Sequence, residues 1–185
     1  MTDRLYLGFL NGYAPRWAGR LTAQVEEALS MRVLPIDLEL DLERYFSVDR
    51  GQFNSTLILA GLLRRLPERG VRIVGLTRVD LFIPVLTFVF GQAQLGGAGA
   101  IVSTHRLRHE FYGLPPDQAG LLDRTVKEIV HEVGHTLGLV HCADYACVMH
   151  AATYVEDVDL KSRRFCLNCR AGLENSDRPL SLRAL

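Results

Sequence analysis

The sequence predicts an α/β (α+β) fold: a mixed sheet with parallel neighbours, a long helix and a small C-terminal segment. Three observations support this. Strand-like and helix-like segments alternate up to residue 76, and a helical pattern of apolar residues runs from residue 117 to 137. All four cysteines lie beyond residue 138, in a region poor in apolar side chains. Alternation of strands and helices is typical of sheets with parallel neighbours.

The first half of the chain supplies most of the sheet. Apolar runs predict strands at residues 5–10, 31–40 and 71–76. Apolar residues at helical spacing predict helices at residues 16–30 and 56–66. Asn54 or Ser55 can cap the second helix. The charged segment 41–51 is expected to be a surface loop.

A hairpin is expected at the edge of this sheet. Residues 81–93 are apolar and aromatic, and predict a strand with an irregular approach. The glycine-rich residues 96–99 then predict a tight turn into another strand at 100–104. A phosphate-binding loop is a poor alternative, since no Lys-Ser or Lys-Thr pair follows the glycines. Such a hairpin can present an edge strand to an extended peptide.

The helix predicted at residues 117–137 has two different faces. Its apolar stripe consists of Leu122, Val126, Ile129, Val130, Val133 and Leu137. At about 100° per residue, this stripe lies almost opposite His131 and His135. We therefore expect the stripe to pack on the core and the histidines to face a cleft. Gly134, between the two faces, predicts close approach of another segment, for which the returning chain with His141 is the candidate.

Residues 131–141 carry the strongest chemical signal and read His-Glu-Val-Gly-His-Thr-Leu-Gly-Leu-Val-His. His131 and His135, four residues apart on a helix, can bind one zinc ion from the same face. Gly138 can end the helix and let the chain deliver His141 as a third nitrogen ligand. Three protein ligands leave one zinc position open, which is typical of catalytic zinc. Glu132 is close enough to reach a water molecule on the metal.

This arrangement favours amide hydrolysis. Zinc lowers the pKa of a bound water to about 7, and Glu132 can accept its proton and pass it to the leaving amine. The alternative is a catalytically silent, zinc-stabilised protein that only binds peptides. The intact Glu132 argues against that alternative.

The four cysteines form a second pattern, Cys142-x4-Cys147 followed by Cys166-x2-Cys169. This spacing favours a tetrahedral four-thiolate zinc site with no open position, which would be structural. Two disulfides, free thiols and an iron–sulfur cluster remain as alternatives. The C-terminal segment around the cysteines has too few apolar residues to build a core of its own. The metal would hold this segment together and help to fix His141, which directly precedes Cys142.

Several residues outside these two patterns are weaker candidates for the functional site. Met149 is a candidate for the Met-turn, an apolar floor beneath the metal histidines. Tyr154 can donate to an oxyanion or contact a metal, but ordinary packing is the better interpretation. His105 and His109 are expected to be surface or structural residues.

Composition limits the partners. Lys and Arg number 21 and Asp and Glu also 21, and this balance argues against nucleic acid or an anionic membrane as the main partner. No apolar run approaches the roughly 20 residues of a membrane-spanning helix, and the start has no signal-peptide pattern. We expect a cytoplasmic monomer that acts on a peptide or protein. A four-cysteine module that binds nucleic acid through Arg163, Arg164 and Arg170 is a weaker alternative.

On these motifs the sequence resembles the metzincin zinc peptidases, and more narrowly the archaemetzincins. The three-histidine motif followed by Met149 resembles the metzincin signature. The archaemetzincin feature is Cys142 directly after the third histidine, then Cys147-Val148-Met149 and Cys166-Leu167-Asn168-Cys169. Residues 50–55, 80–84 and 88–91 also resemble segments of that family.

The resemblance implies a metzincin-like fold in two parts. Residues 1–138 would form an upper α/β subdomain with a twisted mixed sheet and the active-site helix. Residues 139–185 would form a C-terminal subdomain with the third zinc ligand, the Met-turn and the four-cysteine site. Two zinc ions per chain are implied: a catalytic ion on the three histidines, with Glu132 as the general base, and a structural ion on the four cysteines.

Overall fold

A five-stranded mixed sheet and one long helix organise the chain. The structure is a computed structural model that describes residues 4–68 and 70–176. Its strands are β1 (Arg4–Leu10), β2 (Arg32–Leu38), β3 (Phe46–Ser47), β4 (Gln52–Asn54), β5 (Arg72–Thr77), β6 (Leu81–Phe82), β7 (Gly91–Ala93) and β8 (Gly99–Ser103). Its helices are α1 (Ala18–Leu29), α2 (Ser55–Leu63), α3 (Gln118–Thr136), α4 (Val155–Leu160) and α5 (Leu167–Ser176).

The main sheet confirms the predicted mixed topology. Its strand order is β2-β1-β5-β8-β7, and the neighbours are parallel except for the antiparallel pair β7–β8. Side chains alternate between its two faces, as they must in strands. On one face Val74 and Leu76 pack with α1 and α3, and on the other Ile73 packs with α2. β7 lies at the end of this order and, in the part of the chain that the structure describes, pairs with a strand on one side only.

The glycine-rich hairpin is confirmed, but two neighbouring predictions need correction. Gly96 has φ 64°, and the N–H of Gly97 donates to the Gln94 carbonyl at 2.9 Å, which closes the turn between β7 and β8. The expected surface loop at 41–51 contains a short 3-10 helix and part of a second sheet, in which β3, β4 and β6 pair. The expected strand at 81–93 is divided into β6 and β7 by the loop 83–90.

α3 lies close to its predicted position. The Asp117 carboxylate caps it by accepting hydrogen bonds from the N–H groups of Ala119 and Gly120. Gly138, with φ 94°, follows its end. The apolar stripe is buried, as predicted, with Leu137 only partly covered. The opposite face is covered as well, because the C-terminal residues fold against it.

The C-terminal residues pack on α3 through both apolar and charged contacts. Val148, Met149 and Val158 join the same core as the sheet. Beside them is a row of ion pairs, here called the α3 ion ladder, in which charged side chains of α3 pair with one another or with residues 159–163. Its pairs are Arg124–Asp159, Lys127–Asp123, Arg163–Asp123 and Lys161–Glu128, with N–O distances between 2.6 and 2.8 Å. No helix within the described ranges is long and apolar enough to cross a membrane.

Candidate active site

Three imidazoles converge at the C-terminal end of α3. One helical turn separates His131 from His135, and their Nε2 atoms are 3.1 Å apart. The positive φ of Gly138 reverses the chain, which then brings His141 to the same point. One ring nitrogen from each of the three lies within 4.8 Å of the others. The sequence motif therefore becomes one cluster.

The hydrogen bonds of these rings fit a metal ion. His131 Nδ1 is 2.8 Å from the Val148 carbonyl oxygen, and His135 Nδ1 is 2.8 Å from that of Leu139. A carbonyl oxygen only accepts, so each Nδ1 carries the proton and each Nε2 keeps its lone pair. Burial lowers the pKa of His131 well below its usual value, and that of His135 less strongly. A tetrahedral zinc ion requires neutral rings whose ligating nitrogens lie about 3.3 Å apart. The 3.1 Å between the Nε2 atoms of His131 and His135 is close to that spacing.

The Glu132 carboxylate lies beside this cluster. It is buried, and within the described part of the chain its Oε2 has no hydrogen-bond partner. Burial raises the pKa of Glu132 well above its usual value, Glu128 raises it further, and Lys161 opposes the shift. β7 passes so close that a Cβ atom at Gly91 would lie 2.7 Å from Glu132 Oε1.

A cavity of about 530 Å³ contains the three histidines and Glu132. β7 and the loop 83–90 form one wall, and residues 151–153 form another. A larger cavity of about 710 Å³ lies at the ends of β1 and β5, but it contains none of the candidate residues. The chemistry identifies the smaller cavity as the candidate active site.

The four cysteines also come together. Sγ of Cys142 lies 3.7 Å from that of Cys166, and Sγ of Cys147 lies 3.7 Å from that of Cys169. A disulfide would need about 2.05 Å, whereas sulfurs on a tetrahedral zinc are about 3.8 Å apart. The backbone N–H of Cys169 is the main cause that lowers the pKa of Cys166 to about 7. This geometry fits a four-thiolate zinc site.

Met149 is fully buried beneath α3. A Cβ atom at Gly134 would overlap its sulfur and would lie 3.0 Å from the Phe165 ring. The close approach expected at Gly134 is therefore real, but Met149 and Phe165 make it rather than His141. The chain leaves α3 beyond its end to reach His141, and returns under the helix only at Met149.

The weaker candidates stay outside the cavity. Tyr154 is 66% exposed, and it precedes α4, where its N–H donates to Asp157 Oδ2 at 2.8 Å. His105 is held by the Arg78 carbonyl and by the Phe111 ring. His109 lies at the start of a short 3-10 helix. None of the three lines the cavity.

Comparisons with known proteins agree with this geometry. The model of peptidase family M54 matches residues 65–175. The archaemetzincin of Methanocaldococcus jannaschii is 46% identical over 138 residues, which are 74% of this chain and 75% of that protein. The chain belongs to the archaemetzincin family. It is thus a zinc metallopeptidase.

Other archaemetzincins cover more of the chain. That of Thermococcus kodakarensis is 39% identical over 169 residues, 88% of this chain and 91% of its own. The crystal structure of archaemetzincin from Methanopyrus kandleri superposes with a TM-score of 0.81 at 38% identity, covering 94% of both chains. A zinc-dependent peptidase from Methanocorpusculum labreanum gives a TM-score of 0.83 at 32% identity, covering 91% of this chain and 99% of that one.

Sequence reasoning missed three residues of this archaemetzincin site. Glu128 and Lys161 line the cavity as a buried ion pair, and Gly91 makes room for Glu132. Glu128 had a signal, since it lies one turn before Glu132 on the same helix face. Nothing in the spacing of Lys161 or Gly91 marked either of them, because their partners are distant in sequence.

Proposed function

We propose that the chain hydrolyses peptide bonds with Glu132 as the general base, beside a zinc ion held by His131, His135 and His141. One observation carries the proposal. One ring nitrogen from each of the three histidines converges in the same cavity as a carboxylate oxygen, Glu132 Oε2, for which no hydrogen-bond partner is found in the described residues. A buried carboxylate without a partner is expensive to maintain unless it has a chemical task.

Each step of the reaction uses a group already in position. A zinc ion at this site would polarise the substrate carbonyl, acidify a water molecule and favour the carboxylate form of Glu132. Glu132 accepts the proton of the attacking water and passes it to the nitrogen of the leaving amine. Because Gly91 has no Cβ atom, β7 leaves space for the Glu132 carboxylate beside the cavity. The carbonyl oxygens of Val148 and Leu139 hold the two helix histidines in their orientation.

We propose an extended peptide as the substrate. Within the described residues β7 has a neighbouring strand on one side only, and its three residues line the cavity. An extended peptide can pair with such an edge through its backbone, which would lay a peptide bond across the site.

A second zinc ion on Cys142, Cys147, Cys166 and Cys169 completes the proposal, with two ions per chain. The Sγ distances support it. Residues 1–138 would then act as an upper subdomain and residues 139–185 as a C-terminal subdomain, with Met149 as the floor beneath the histidines. No second chain is needed to complete either site, so we propose that the monomer is active.

The test compares the zinc-loaded protein with Glu132→Gln on a mixture of fluorogenic peptides. We expect the variant to lose at least about 100-fold in kcat/KM while both zinc ions remain, because general base catalysis contributes about 10²–10⁴-fold. Glu110→Gln is the matched control, since Glu110 is exposed and does not line the cavity. A Glu132→Gln protein that cleaves at the normal rate would contradict the mechanism. Two zinc ions without cleavage by either protein would favour the silent peptide-binding alternative.

A further inference from the structure

A buried ion pair lines the cavity beside Glu132. Lys161 Nζ lies 2.8 Å from Glu128 Oε1, and the two side chains are only 1% and 4% exposed. Both residues line the cavity that holds Glu132 and His131. The two groups are close enough for an ion pair, but their geometry is not that of a hydrogen bond. Glu128 Oε1 therefore has no hydrogen-bond donor within the described residues.

This pair differs from the rest of the α3 ion ladder. Asp159 and Asp123, the acidic partners of the other pairs, are 46% and 34% exposed, so water screens their charges. Glu128 and Lys161 are almost fully desolvated. A buried pair contributes little to stability compared with apolar residues of the same size. The pairs Arg124–Asp159 and Arg163–Asp123 already join α3 to residues 159–163. The Glu128–Lys161 pair is therefore not needed for that link and can have another role.

We propose that the Glu128–Lys161 pair forms the floor of the pocket that receives a substrate side chain beside the scissile bond, and that it restricts this pocket to uncharged side chains. The inference rests on the proposed function, since it takes the cavity to be a substrate site. It names the class of side chain that the site would accept.

The selectivity follows from cancellation of charge. Each member of the pair already has its counter-charge, so an acidic or basic side chain entering the pocket finds no free partner. It would lose its hydration without compensation. The wall residues Phe88, Val89 and Ala152 offer apolar contact to an uncharged side chain instead.

Removing one member should reverse the selectivity. Lys161→Met leaves the Glu128 carboxylate unpaired, and the pocket should then prefer a lysine side chain. Glu128→Gln leaves the Lys161 ammonium unpaired, and the pocket should then prefer a glutamate side chain. In each case the substrate would supply the missing charge, as specificity pockets with a lone charge do.

The test uses binding, so it does not depend on turnover. Three peptidyl hydroxamates, with leucine, glutamate or lysine after the zinc-binding group, are titrated into the zinc-loaded protein by calorimetry. We expect the wild type to bind the leucine compound at least about tenfold more tightly than either charged one. Lys161→Met should shift the ratio towards lysine by about tenfold or more, and Glu128→Gln should shift it towards glutamate.

Lys127→Met is the matched control. Lys127 is also a buried lysine paired with a carboxylate on α3, 2.8 Å from Asp123, but it does not line the cavity. It should keep the wild-type order of affinities. Because a lone buried charge can prevent folding, the double variant Glu128→Gln/Lys161→Met is included. That protein carries no charge at position 128 or position 161 and should keep the preference for leucine.

The outcomes separate this inference from the proposed function. Equal binding of the three compounds by the wild type, or no binding of any of them, would overturn the pocket assignment. So would single variants that fold but keep the wild-type order. Peptide cleavage without charge selectivity would overturn the inference alone. Charge-selective binding without any cleavage would support the pocket and contradict the hydrolytic function.

Discussion

Replacing Gly134 by alanine would place a methyl group between α3 and the segment beneath it. The new Cβ atom would overlap the Met149 sulfur and lie 3.0 Å from a carbon of the Phe165 ring. Met149 is fully buried and Phe165 is 9% exposed, so neither side chain has free space to move into. The substitution tests whether this packed layer supports the candidate metal-binding histidines.

Two opposing effects set the size of the change. Alanine stabilises a helix interior by about 0.5–1 kcal/mol relative to glycine. Overpacking a close-packed core costs about 1–3 kcal/mol. The net loss should be about 1–2 kcal/mol, which corresponds to a decrease of about 2–8 °C in the melting temperature for a chain of this length.

The assay is urea unfolding of the zinc-loaded protein, followed by circular dichroism. Gly19→Ala serves as the control, because Gly19 is in α1 and a Cβ atom there would meet nothing within 4 Å. The control should be neutral or slightly stabilised. If Gly134→Ala were as stable as Gly19→Ala, the packing argument would be refuted.

A double variant gives a second check. Met149→Ala alone should cost about 2–5 kcal/mol, since it leaves a cavity in the core. In Gly134→Ala/Met149→Ala the new methyl group occupies part of that cavity. The combined loss should therefore be smaller than the sum of the single losses, by about 0.5–3 kcal/mol. Additive losses would show that the two residues do not touch.

Three further predictions concern the metal sites and the cleft. Cys147→Ser should reduce the zinc content from two ions to one by mass spectrometry, and should destabilise the chain by about 4 kcal/mol or more. In zinc-free protein, burial keeps His131 and His135 neutral at pH values where the unfolded chain takes up protons. Because the pKa values of both histidines are lowered in the folded state, the free energy of unfolding should fall as the pH drops below about 6.5. The loss should be up to about 1.4 kcal/mol per pH unit for each histidine. A free energy of unfolding that stays constant between pH 7.5 and 5.5 would contradict this. Arg106→Met removes two 2.7 Å contacts to Asp80 beside the cleft wall, and should raise KM several-fold with little change in kcat.

The sequence predicted the fold where local signals agree with the tertiary structure. The apolar runs, the helical stripe of α3 and the glycine-rich hairpin each act over a few neighbouring residues. The candidate metal ligands were also predictable, because the spacing of His131 and His135 on a helix fixes their geometry. Cys166 and Cys169 were predictable as candidates from their C-x2-C spacing and the second cysteine pair nearby.

Other features depend on contacts between distant segments. The charged segment 41–51 contains the short strand β3, which pairs with β4, and β4 in turn pairs with the more distant β6, which no local pattern reveals. α4 is a short helix that packs on α3, and α5 contains Cys169 of the cysteine cluster. Lys161 looks like a surface lysine until Glu128, which is 33 positions earlier, is placed beside it.

The acceptors that orient the helix histidines are backbone atoms. Since a carbonyl oxygen is present whatever the side chain, substitution at Val148 or Leu139 leaves the acceptor in the molecule. Only displacement of the chain can remove it. Val148 lies directly between Cys147 and Met149, so the cysteine cluster fixes the position of that oxygen. Substitutions around the site can therefore leave the orientation of His131 unchanged as long as the segment 147–149 keeps its position.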